Sequence, residues 1–490
     1  MRQVKPIQLQ LGEIDVASIQ LDIHSRDDIP QVLRGLQYVY GDINLREQVF
    51  AILEKLPGDI DTGLGRPGMD LWKILVLGTL RLTLNCDYDR LQELANNHKS
   101  IREMLGHGIR DEDLRYGLQT LKDNVSLLTL DHLKGMNTIV VNAGHQFCKA
   151  GEVLMGRCDS FVVETHVHFP TDINLLSDAV RKAVTLSAEL SNGYDLTLWR
   201  QSEFNLRQLK RCYRTAQKIK HSTSKDEEKK AKRHEEVVEA HRVYLNKAEC
   251  LLDKVALTLC LVDRKNSDTT AKEIDEIQGF VAHAKRQVDQ IERRVIKGEV
   301  IPPDEKVFSI FQEHTEWIVK GKAGVPFELG LRVCVLEDQW GFILHHRVMQ
   351  KETDDKVAVT MVSDTQERFP GLRGCSFDKG FHSPTNQVEL RERLELVVLP
   401  KKGRCNQAEH SRESEPDFIA ARRQHSAVES AINALEVHGL DTCPDHGIDG
   451  FERYVALAVV SRNIQKLGAM LQKEAQAKER RRRKKLRLAA

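Results

Sequence analysis

The chain's 490 residues allow roughly two to four domains, and 41% hydrophobic, 30% charged and only 6% aromatic residues favour a helix-rich protein with long solvated faces. Lys and Arg number 73 against 72 Asp and Glu, so the formal net charge of +1 neither demands nor excludes a polyanionic partner, and any basic patch must be local. No run approaches the ~18 apolar residues of a membrane span, the opening MRQVKPIQLQ lacks the apolar stretch of a secretory signal, and ten scattered cysteines without a CxxC pair read as reduced thiols rather than a disulfide framework or zinc site.

Residues 6–23 alternate loosely between apolar and polar, a pattern that suits a short hairpin. Ser25 and Asp28 resemble a capping box opening a helix with Val32, Leu33, Leu36 and Val39 on one stripe. A second helix carries Leu45, Val49, Ile52, Leu53 and Leu56 and stops at Pro57-Gly58. After the turn Gly65-Arg66-Pro67-Gly68, Asp70 can cap an apolar helix over 71–84, and short helices follow around 88–98, 100–105 and 113–124. Short helices in series suit a helix-turn-helix-like module over 1–150, and a plain helical bundle fits the same pattern.

Residues 156–172, GRCDSFVVETHVHFPTD, read as a strand that ends at Pro170, with Asp159 at its start and Glu164 in its middle. Asp is depleted in strands, so a buried Asp159 needs a partner, and a divalent cation is a common one. A helix follows with Leu175, Leu176, Ala179, Val180 and Ala183 as its apolar face. From about 186 to 297 no strand pattern appears, and helical spacing recurs in three runs. The third, Ile274, Ile277, Val281, Ala284, Val288, Ile291 and Val295, forms a coiled-coil-like seam. Such an insertion spaces or dimerises, or touches DNA through its Lys and Arg faces.

Residues 326–349 read as a hairpin, 356–368 as a helix, and 374–382 as a brief strand ending in Asp378 at a Gly-containing turn. A helix from Gln387 to Leu394, an apolar strand over 396–399 and a polar loop precede a long helix over 417–437. Its apolar face holds Ile419, Val428, Ala431, Ile432 and Leu435; its other face holds Arg422, His425, Glu429, Asn433 and Glu436. A last apolar helix covers 451–471, and the tail KERRRRKKLRLAA, with Arg480, Arg481, Arg482 and Arg483, reads as a disordered phosphate-binding arm over 473–490.

Asp159, Asp378 and Glu429 thus recur in similar settings. The order strand, hairpin, helix, strand, strand, helix would set the two Asp residues side by side with Glu429 reaching across. Three converging carboxylates can hold two Mg²⁺ ions about 3.5–4 Å apart.

The blocks GRCDSFVVETHVHFPTD, FDKGFHSP and RRQHSAVESAINALEVHGLDTCPDHGIDGFERYVALAVVSRNIQKLG resemble the three catalytic blocks of bacterial insertion-sequence transposases of the DDE class, closest to the ISNCY-type group. HTEWIVKGKAGVPFELG is similar to another block of those proteins, and RDDIPQVLRGLQYVYGD through GRPGMDLWKILVLGTLRL resembles their N-terminal domain. The resemblance implies an α/β, RNase-H-like catalytic core over 151–185 and 306–472, a large helical insertion over 186–305, and a helical DNA-end-binding domain in front. It implies Asp159, Asp378 and Glu429 as catalytic and metal-binding residues, with two Mg²⁺ ions, or Mn²⁺ in their stead, and no Ser or Tyr nucleophile. Related transposases carry a Tyr, Arg, Glu, Lys pattern around the catalytic Glu, whereas this chain has Arg422, His425, Glu429 and Glu436, and Glu436 cannot replace a Lys.

The expected partners are double-stranded DNA, as terminal inverted repeats and target, and a second copy of the chain on DNA. No membrane is expected, and the location is cytoplasmic, on the nucleoid when DNA is bound. Lys320, Lys322, Lys379, His382, Arg422, His425 and Arg480–Arg483 are candidates for phosphate contact, with His166 and His168 beside them. The alternatives are a metal-dependent RNase-H-like nuclease and a catalytically inactive DNA-binding protein of the same fold.

Overall fold

The computed structural model describes residues 4, 13–56, 68–111, 113–149, 151–219, 223, 225–262, 268–319 and 326–489. They form two compact units, one from Met1–His166 with Ile318–Ala490 and one from Val167–Trp317. Among the described residues no helix is long and apolar enough to cross a membrane.

The first unit opens with helices. α1 (Asp28–Gly41) buries Val32, Leu33, Leu36 and Val39, as the stripe predicts. Its cap is Asp27, whose side chain accepts from the Ile29 amide at 2.8 Å; Ser25 instead bonds the Asp27 amide, so the expected Ser25/Asp28 box does not form. α2 (Ile43–Leu53) follows on Asp42, and α3 (Leu71–Thr83) is buried on almost every side. Asp70 stands at the start of α3 but pairs with Lys73 at 2.8 Å rather than capping the helix. Then come α4 (Tyr88–Asn97), α5 (Lys99–Met104), α6 (Leu118–Val125) and α7 (Leu130–His145). Residues 13–23 hold only the 3-10 turn Val16–Ser18, so no hairpin forms there; 5–12, Pro57-Gly58 and 65–67 lie outside the described residues. β1 (Leu154–Thr165) ends short of Val167 and Phe169, whose alternation is not continued as strand.

The second unit is helical: α8 (Asp172–Gly193), α9 (Ser202–Lys218), α10 (Glu227–Leu261) and α11 (Asp268–Ile291). Its own core gathers Leu176, Val180 and Val184 of α8, Leu209 of α9, Tyr244 and Leu251 of α10, and Ile274, Ile277 and Ile291 of α11.

The chain then supplies β2 (Glu316–Val319), β3 (Phe327–Asp338), β4 (Ile343–Met349), α12 (Asp354–Arg368), β5 (Leu372–Phe377), α13 (Pro384–Arg393) and β6 (Leu396–Val398). After these come α14 (Gln407–Glu413), α15 (Pro416–His425), α16 (Ala427–Leu435), β7 (Thr442–Cys443) and α17 (Gly447–Ala489). The result is a mixed sheet in the order β2-β3-β1-β5-β6, with β4 on β3 and β7 on β1. β3 runs antiparallel to β1 and to β4, whereas β5 is parallel to β1 and β6 parallel to β5.

The sheet and the N-terminal helices share one core. Fully buried Asp338 accepts from the amides of Trp340 and Phe342, both at 2.9 Å, and meets His145 Nε2 at 2.6 Å, which fixes the β3–β4 turn and ties it to α7. Buried Asn463 donates to Asn137 Oδ1 at 2.7 Å and accepts from the Ile343 amide at 3.0 Å, linking α17, α7 and β4.

Two expectations are corrected here. The helix over 417–437 is broken after His425: the Ser426 hydroxyl bonds back to the Arg423 carbonyl at 3.1 Å, and a π turn (Glu436–Leu440) with Gly439 at φ 103° follows α16. The basic tail is helical, not disordered, as far as Ala489; Arg and Lys are good helix formers, and Arg483 pairs with Glu479 one turn earlier at 2.6 Å.

Candidate active site

Parallel pairing of β1 with β5 sets Cys158 opposite Phe377, so Asp159 in β1 and Asp378, one residue beyond β5, each follow directly on that pair. Asp378 lies just past the end of β5, before the 3-10 turn Lys379–Phe381, and its exposed carboxylate makes no cap bond with that turn. Glu429 comes from α16, which packs on β1 and buries Val428, Ala431 and Leu435 while leaving Glu429 exposed.

The electrostatics of Asp159 report on this gathering. Its carboxyl is pushed up to about 6, first by burial and then by the charges of Asp378, Asp354 and Glu429; the Ser160 amide, donating to Oδ1 at 2.7 Å, opposes the rise. Asp354, at the start of α12, is a carboxylate that sequence reasoning missed. It accepts from the Ser160 hydroxyl at 2.6 Å, and a Cβ on Gly380 would lie 3.0 Å from its Oδ2. An acidic residue in a helix's first turn ordinarily serves the helix dipole, so nothing in KETDDK marks it out.

A cleft of about 460 Å³ opens beside Asp159 and Glu429 and is also lined by Arg332, Asn433 and Glu436. Arg332, on β3 across from Val162, forms no ion pair among the described residues. The one available signal was an Arg interrupting the apolar run Leu331, Val333, Val335.

The candidate phosphate-contacting residues divide. Lys379 follows Asp378 directly and is exposed, and His382 closes the same turn, half-buried. His425 Nδ1 meets Ser376 Oγ at 3.0 Å, while its buried Nε2 has no partner. Burial holds the ring below its ordinary value, helped by Arg157 and opposed by Asp378 and Glu429. His425 is therefore at the site as a neutral ring. Arg422 faces Glu413 at 3.9 Å, so its charge is partly engaged. His166 is exposed beyond β1, and His168 pairs with Asp178 at 3.4 Å within the second unit. Arg480, Arg481, Arg482 and Arg483 are exposed on the last turns of α17; Glu479, which Arg483 engages, also meets His24 at 2.9 Å, among the N-terminal residues rather than the carboxylates. Lys320 and Lys322 lie outside the described residues.

The donors are hard carboxylate oxygens, the kind Mg²⁺ takes, and the raised Asp159 marks an excess of negative charge that a divalent cation would relieve. Among the described residues, however, no three His, Cys, Asp or Glu side chains close into a ligand set for one ion. Mg²⁺ characteristically uses one or two carboxylates and completes its shell with water and substrate phosphate. Compared with protein-family models, curated proteins and solved structures, the chain matches none.

Proposed function

We propose that the chain is a DNA transposase of the insertion-sequence DDE class with an RNase-H-like core. The observation that carries this reading is the juxtaposition of Asp159 in β1 with Asp378 just past the parallel strand β5, with Asp378 and Glu429 near enough for their charges to bear on Asp159. Further support comes from the order of elements: strand β1, hairpin β3–β4, helix α12, strands β5 and β6, then the helix bearing Glu429.

Asp159, Asp378 and Glu429 would hold two Mg²⁺ ions, with Mn²⁺ able to substitute, and the ions when bound supply Lewis acidity to an in-line displacement at phosphorus. Asp159 gives up its proton to take part, since the ionised carboxylate is the ligand. Arg332 and Lys379 bind non-bridging phosphate oxygens, and neutral His425 offers one ring N–H to the same group. Water attacks the scissile phosphorus at the element's end and the P–O3′ bond breaks, leaving a 3′-OH; that hydroxyl then attacks a phosphorus of target DNA, loses its proton to solvent and forms a new P–O bond as the target's own 3′ oxygen leaves. Joining two ends calls for two copies of the chain on DNA.

The test is nicking of the chain's own element end, taken from inverted repeats flanking its gene. Wild-type protein with Mg²⁺ nicks that DNA; Asp159→Asn binds it and does not. A catalytically inactive DNA-binding protein is the second reading, favoured by the ligand set that does not close. It predicts that wild-type protein binds the end without nicking it under any divalent ion.

A further inference from the structure

We propose that α9 carries a second, separate nucleic-acid surface: a row of five cations that grips the phosphate backbone of duplex DNA. Arg207, Lys210, Arg211, Arg214 and Lys218 are all exposed. At about 100° per residue they fall within an arc of about 100° on one side of the helix. The opposite side is closed off: Leu209 and Ala216 are buried in the helical unit's own core, with Leu206, Cys212 and Tyr213 packed beside them.

Arg207 and Lys210 also border a groove holding Asp178, which is itself engaged by Arg181 at 3.2 Å and His168 at 3.4 Å. None of the five forms an ion pair among the described residues, and Glu203, in the first turn, is the only acid on the helix. A depression of about 310 Å³ along this face is lined by Arg207, Lys210, Arg211, Arg214, Thr215 and Lys218, with no acidic residue. The neighbouring acids of α10, Glu235, Glu236 and Glu239, border a different groove, on the Cys212 and Ile219 side, which Arg211 and Thr215 also reach. Glu236 is engaged by Arg233 at 2.7 Å.

Three occupants suit a basic helix face, and the geometry selects one. A membrane surface requires the apolar side of the helix to enter lipid, and here that side is already buried. An acidic protein surface is ordinarily anchored by aromatic side chains at the centre of the patch, whereas Phe204, an exposed aromatic of α9, stands at the row's N-terminal edge and Tyr213 lies outside the row, bonded to Asn174. Duplex DNA asks only for a regular line of positive charge. Arg207 to Lys218 spans about 16 Å of helix. One DNA strand carries a phosphate per ~3.4 Å of axis but winds around that axis, so a straight row of this length faces roughly two or three phosphates. The surface is distinct from the carboxylate site and does not depend on the chemistry proposed there.

The experiment uses the full chain and a fluorescent duplex of arbitrary sequence, with affinity measured across a range of salt concentrations. All five residues are replaced by Ala, the best helix former, so α9 is retained, with circular dichroism as the check. The expected result is binding at least about tenfold weaker at moderate salt, and a plot of log affinity against log salt shallower by about two to three, since each released phosphate contact removes ~0.9 from the slope. Unchanged affinity and slope would overturn the proposal. So would loss of binding to a polyglutamate peptide with DNA binding intact, which would assign the row to an acidic protein. If wild-type protein never cuts DNA but the five-Ala variant loses duplex affinity, the catalytic reading fails and this one stands.

Discussion

Burial and three neighbouring carboxylates hold the Asp159 carboxyl near pH 6, well above the ordinary Asp value of about 3.9. The sign follows: the metal-free folded chain binds this proton more tightly than the unfolded chain, and a divalent ion must displace it. Ion uptake is therefore expected to be full above pH 7 and to fall as pH drops through about 6, as isothermal titration with Mn²⁺ at stepped pH would reveal. Replacing Glu429 by Gln removes one like charge, so the Asp159 proton midpoint of the metal-free chain, read by NMR, should move down, but only in part, because burial is the larger cause. A midpoint that does not move would mean that Glu429 is electrostatically remote. Asp159 and Asp378 were legible in the sequence because a carboxylate in or at the end of an apolar strand is out of keeping with its surroundings. Asp354 and Arg332 were not, since an acid at a helix start and a single Arg in a strand have ordinary local explanations. Only the pairing of β1 with its neighbours brings them to the site.

Helix periodicity was the most readable feature of this chain, because a buried stripe must repeat with the helix turn, and the expected runs in α1, α2, α3 and α8 to α11 are all helical. Periodicity over 417–437 misplaced one end of the stripe. Val428, Ala431 and Leu435 are buried as expected, but Ile419 is exposed and Phe418 is buried in its place, so the segments on either side of Ser426 bury different faces. Close helix crossings were hidden. A Cβ on Gly468 of α17 would lie 1.8 Å from the Gln31 carbonyl of α1, and one on Gly35 would lie 2.2 Å from the Ile464 carbonyl. Gly468→Ala must push the two helices apart and is expected to destabilise by about 1–3 kcal/mol, read from denaturant unfolding. An unchanged midpoint would mean that the crossing is looser than this. At the β7–α17 connection, Asp445 pairs with Arg81 at 2.7 Å and Arg453 at 2.9 Å, all three largely buried. Asp445→Ala leaves Arg81 desolvated without its counter-charge and should destabilise by about 3–5 kcal/mol, more than Arg453→Ala, whose loss leaves the Arg81 pair intact.

Each of the two units has an apolar core of its own, so residues 167–317 are expected to fold alone as a helical domain with a cooperative melt; a featureless melt would show that this core is insufficient. Within the first unit, the sheet and α16 bring the carboxylates of Asp159, Asp378 and Glu429 near one another, and that gathering is the physical basis of the proposed chemistry. The most direct test is Mn²⁺ binding to the full chain at pH 7.5, followed by paramagnetic resonance in wild type, Asp159→Asn, Asp378→Asn and Glu429→Gln. Each substitution should weaken binding at least about tenfold, with the helical content unchanged. Four proteins with the same affinity and stoichiometry would contradict a shared divalent-ion site and, with it, strand-transfer chemistry in this chain.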